Sequence, residues 1–105
     1  MQFTIFASFL FAAVGLVAAA DDRLLFTIPY GDSIDTFTSD FQTACSTWQP
    51  AIDAGLTLVN DLVEAGDFSG KNADTEARLV CAWSDGTTIT TFTTDVATSL
   101  GATPA

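Results

Sequence analysis

Histidine is absent from this chain. With it go the commonest general base, the commonest metal ligand and any Ser-His-Asp or Cys-His catalyst. Positive charge is nearly absent too. Lys and Arg number 3 against 13 Asp and Glu, a formal net charge of -10 at pH 7. The cations are Arg23, Lys71 and Arg78. Nucleic-acid binding needs a basic footprint, so that class is excluded, and an anionic membrane surface would repel the chain. Only Cys45 and Cys81 supply thiols. They lack Cys-x-x-Cys spacing, which argues against dithiol redox chemistry and a thiolate zinc site. No phosphate-binding glycine loop, EF-hand spacing or Asn-x-Ser/Thr acceptor occurs.

What is present begins at the N-terminus. Met1 to Val17 is almost wholly apolar, Ala18-Ala19-Ala20 follows, and Asp21-Asp22-Arg23 opens a polar chain. That order predicts a secretory signal peptide over residues 1–20, cleaved near Ala20. The apolar run is about 15 residues, short of the ~20 that a membrane span needs. No membrane span is therefore expected after cleavage, and the protein is expected to be secreted. Residues 21–105 form one small acidic domain. An even cysteine count suits one disulfide there, Cys45 to Cys81.

Within that domain, Leu24 to Ile28 reads as an extended segment ended by Pro29, and Tyr30-Gly31-Asp32 is turn chemistry. Ile34, Phe37, Phe41, Cys45 and Trp48 recur at spacings of three and four, the stripe of a helix capped by Ser33. Ile52, Leu56, Val59 and Val63 predict a second helix, started by Pro50 and stopped by Gly66. Gly55 inside it suggests close packing against a neighbour. Ala77, Val80 and Cys81 predict a third helix, capped by Asn72 or Asp74. Ile89, Phe92, Val96 and Leu100 predict a fourth, ending at Gly101. The fold expected is thus all-α, a bundle of three to four short helices with one disulfide pinning the first to the third. The β-branched run Thr87 to Thr94 and the hairpin signal Asp85-Gly86 support an alternative, α+β with a C-terminal hairpin.

For function, the sequence offers a small, secreted, acidic, non-enzymatic binding protein, with no cofactor and no metal site. In composition it resembles small secreted effector-like proteins, a likeness that assigns no residues. On the second helix Asp53, Asp61 and Glu64 share one side, with Asn60 between and Asp67 just beyond, so a cationic extracellular protein or surface is the partner expected. Two other classes remain. A carrier of a small apolar ligand would leave a pocket among the aromatic stripes. A carboxylate-dependent hydrolase would use Asp61 and Glu64.

Overall fold

The computed structural model describes residues 22–105; the signal-peptide expectation for residues 1–20 lies outside them. The short apolar run before Pro29 is extended, as its sequence requires, and forms β1 (Leu24–Thr27). Helix α1 (Ile34–Ser46) follows. The Thr36 N–H donates to Ser33 Oγ at 3.1 Å, and Asp35 in the first turn complements the helix dipole. Its stripe faces inward, with Phe37, Phe41 and Cys45 fully buried.

From here the all-α expectation fails: the chain is α+β, with a five-stranded antiparallel sheet. The second helix is only α2 (Gln49–Asp53), with Pro50 in its first turn. Gly55 ends it. Its φ of +76° is left-handed, and the Leu56 N–H donates back to the Ala51 carbonyl at 3.0 Å, the hydrogen bond that closes a helix C-terminus. No neighbour lies within 4 Å of where a Cβ would stand on Gly55, so the residue serves the turn and not close packing. The chain then runs as β2 (Thr57–Ala65). The expected third helix is β3 (Glu76–Ser84). The tail divides into β4 (Ile89–Thr91), α3 (Thr93–Ser99) and β5 (Thr103–Pro104). The hairpin signal at Asp85-Gly86 is thus the one that wins, and the helical signal holds only from Thr93 onward.

The sheet order is β2-β3-β1-β5, with β4 pairing the far end of β3 on the same side as β1. Between the last β1 partner on β3, Leu79, and the first β4 partner, Ala82, that edge has a gap. The start of α3 closes it. The Phe92 N–H donates to the Cys81 carbonyl at 2.8 Å, and the Cys81 N–H donates to Thr93 Oγ1 at 2.9 Å. Thr93 is the one buried polar side chain of the core region among the described residues.

Ala77, Leu79, Cys81 and Trp83 alternate on the β3 face that meets α1 and α3, and they form the core with Phe26, Phe37, Phe41 and Val96. Cys45 and Cys81 are bonded, with Cα atoms 5.7 Å apart. The bridge pins α1 to the central strand of the sheet, not helix to helix. Both sulfurs are buried, as the inward stripe of α1 implied.

Candidate functional site

Three segments far apart in sequence meet at one end of the sheet. The first leaves β1. The Asp32 N–H donates to the Pro29 carbonyl at 3.0 Å, closing a turn over residues 29–32. Gly31 has φ +85°, which the second central position of a type II turn demands. Tyr30, at the first central position, is lifted fully into solvent. The second segment is the end of the β2–β3 loop, Asp74 and Thr75. The Ile28 N–H donates to the Thr75 carbonyl at 2.9 Å and ties the two together. The third follows α3: Thr103 pairs with Thr27, and the Ala105 N–H reaches the Leu25 carbonyl at 3.1 Å.

The β2–β3 loop is itself fixed by Asp67. Its Oδ1 accepts from Ser69 Oγ at 2.6 Å, from the Ser69 N–H at 2.8 Å and from the Lys71 N–H at 2.9 Å. Its Oδ2 accepts from the Asn72 side-chain amide at 3.2 Å. The Ser69 hydroxyl, followed by the Lys71 N–H, draws the Asp67 pKa down to about 2.

Between the three segments lies a pocket of about 460 Å³, partly open to solvent, with a mainly apolar wall. Residues 27–32 form one side, Asp74 and Thr75 a second, Gly101 and Thr103 a third. Its size is that of a small-molecule site. Two carboxylates, Asp32 and Asp74, line it, and no Lys or Arg does. In the sequence, residues 30–32 read only as a turn and Asp74 only as a helix cap. The signal available was a tyrosine and an aspartate held in one tight turn, but nothing local announces the other two walls.

The residues singled out from the sequence are dispersed. Asp53 ends α2, exposed, where it accepts from the Gln49 side-chain amide at 2.7 Å. Asp61 and Glu64 lie three apart on strand β2, so they point to opposite faces. Glu64 stands opposite Arg78 on the face away from the helices. It is bracketed by Arg23 Nη1 at 2.6 Å and Arg78 Nη1 at 3.6 Å, and the Arg23 guanidinium lies 5.4 Å from the centre of the Phe68 ring. Two of the chain's three cations therefore neutralise this one carboxylate. Asn60, opposite Ala82, is on that same face, and Asp67 is absorbed by its loop. The single acidic helix face is not there.

Asp61 stands opposite Cys81, on the core face. Its Oδ1 is buried without a hydrogen-bond partner, and that desolvation pushes its pKa up to about 6. The indole N–H groups of Trp48 and Trp83 are likewise buried and unpartnered. Trp83 is two residues along β3 from Cys81, on the same face of the strand. Since Asp61 and Glu64 face opposite ways, they cannot act on the two sides of one bond.

Among the described residues no cluster of three or more Cys, Asp or Glu is placed to hold a metal ion. No helix there is long and apolar enough to cross a membrane. Comparisons with protein-family models, with curated proteins and with solved structures find no match to this chain.

Proposed function

We propose that the chain is a secreted, non-enzymatic binding protein whose site is the pocket at the end of the sheet. One observation carries the reading: a cavity of about 460 Å³ with a mainly apolar wall, built where three hydrogen-bonded segments meet. Such a site is largely pre-formed, and its apolar wall supplies affinity while a few polar groups set orientation. Its polar groups are carboxylate and hydroxyl, chemistry suited to holding a ligand. The aromatic stripe of α1 is packed shut. Phe37 and Phe41 are fully buried against each other, with ring centres 6.1 Å apart, so a carrier role rests on this pocket and not on a gap between helices. The disulfide is compatible with an oxidising extracellular setting, and the apolar, alanine-ended N-terminal sequence supports export.

The test is a titration of the ¹⁵N-labelled, disulfide-bonded protein with a neutral apolar probe, N-phenyl-1-naphthylamine, followed by NMR and probe fluorescence. Binding at the pocket shifts the amides of residues 28–32, 74–75 and 101–103 together. Shifts elsewhere, or none, count against the pocket as the site.

A further inference from the structure

We infer that the pocket takes an organic cation, an ammonium group carried on an aromatic or branched apolar body. This rests on the reading of the pocket as the binding site. The wall explains the apolar body: Ile28 and Pro29 supply hydrocarbon, and the wall as a whole is mainly apolar.

The rim explains the charge. Asp32 uses Oδ1 to accept the Ser33 N–H at 3.1 Å. Asp74 is exposed, and neither carboxylate takes part in a salt bridge among the described residues, where Glu64 holds both arginines. Lys71, in the same loop as Asp74, does not line the pocket.

An anion has no comparable claim. No basic side chain lines the pocket. The nearby N-terminus of α1, which could otherwise favour negative charge, already carries Asp35 in its first turn and the Ser33 cap. The field of a chain with net charge -10 raises the local concentration of cations and lowers that of anions.

The experiment compares benzyltrimethylammonium with neopentylbenzene, its neutral carbon isostere, in NMR titrations of the disulfide-bonded protein. Shape and apolar area are matched, so the difference reports charge. We expect both to shift the amides of residues 28–32, 74–75 and 101–103, with the ammonium binding at least about tenfold more tightly, the factor given by about 1.4 kcal/mol. In the double variant Asp32→Asn, Asp74→Asn that advantage should disappear while the isostere binds as before. The Asp32→Asn change keeps a side-chain oxygen able to accept the Ser33 N–H, and unchanged isostere binding reports an intact pocket. Equal affinities for the two compounds, or an ammonium affinity indifferent to the double variant, overturn the cation inference and leave the pocket standing. Failure of both compounds to move those amides removes the pocket reading, and this inference with it.

Discussion

Replacing Asp61 by Asn should stabilise the protein at neutral pH and much less in acid, the effect vanishing only below pH 4. Asp61 is half-buried on the core face of β2, and its Oδ1 is sealed from water without a partner. Folding carries its pKa from an ordinary 3.8 up to about 6. Unscreened, that displacement opposes folding by about 3 kcal/mol once the group is ionised. The residue keeps partial contact with solvent, and screening brings the figure to about 1–2 kcal/mol. Between pH 4 and pH 6 the folded chain binds more protons at this site than the unfolded chain, so stability falls as pH rises through that window and is level above it. Asp67, drawn down to about 2, acts with the opposite sign and only below pH 4, where protonating it loosens the β2–β3 loop. Asn is isosteric and neutral. Urea denaturation of wild type and Asp61→Asn at pH 4.5 and pH 7, at one salt concentration, isolates the effect, because general charge repulsion is nearly common to both proteins. The variant should gain about 1–2 kcal/mol at pH 7, or about 4–8 °C of melting temperature per kcal/mol for a domain of this size. At pH 4.5, still within that window, the gain should fall to about a third of its size at pH 7. A gain of equal size at both pH values, or a loss at pH 7, refutes the burial argument.

Other consequences can be checked by the same unfolding measurements. Cys45→Ala removes a bridge spanning 36 residues of sequence and should cost about 4 kcal/mol; two reactive thiols in the native wild-type protein would contradict the pairing. Thr93→Val keeps the shape but leaves the buried Cys81 N–H without its acceptor, for about 1–3 kcal/mol, and the Cys81 amide should exchange with solvent faster. Gly55→Ala separates the two readings of the chain after Pro50. In a continuous helix alanine would stabilise by about 1 kcal/mol, whereas at the left-handed φ of +76° it should destabilise by about the same amount.

The part of the fold legible in the sequence is the part with local punctuation. Ser33 and the stripe from Ile34 to Cys45 describe α1 because cap and periodicity agree. Pro29 correctly bounds β1. The misreading of β2 has a definite cause. Its register against β3 shifts between Leu58 and Asn60, a bulge that gives Val59 no partner of its own. An uninterrupted strand would show Leu58, Asn60 and Leu62 on one face. The bulge instead puts Leu58, Asp61 and Val63 on the core side and Leu62 opposite Val80 on the other. Apolar residues then recur at 56, 59, 62 and 63, which imitates a helix. β3 misleads differently. It is the central strand, buried on both faces from Leu79 to Trp83, and such a strand shows a continuous apolar run with no alternation to betray it.

The same bulge decides where the charge goes. Without it Asn60 would stand opposite Cys81, and Asp61 would lie on the face of the two arginines. With it, a carboxylate enters the core side of a strand at the sheet's edge, next to the disulfide. An inward-pointing charge and a bulge are both devices that discourage an exposed edge strand from pairing with another chain, so the desolvation cost at Asp61 has a structural use. The pocket is illegible for a related reason. Its turn, Pro29 to Asp32, is written locally and reads as a turn. Its other walls come from residues 74–75 and 101–103, and only the pairing of Thr27 with Glu76 on one side and Thr103 on the other brings them together. A reading that makes β3 a helix has no such pairing, and so it has no means of placing Asp74 beside Asp32. The acidic surface inferred from a helix face and the acidic pocket found in the sheet draw on different aspartates. The pocket pair stays available to a ligand because, among the described residues, neither Asp32 nor Asp74 is paired with an arginine or buried in the core.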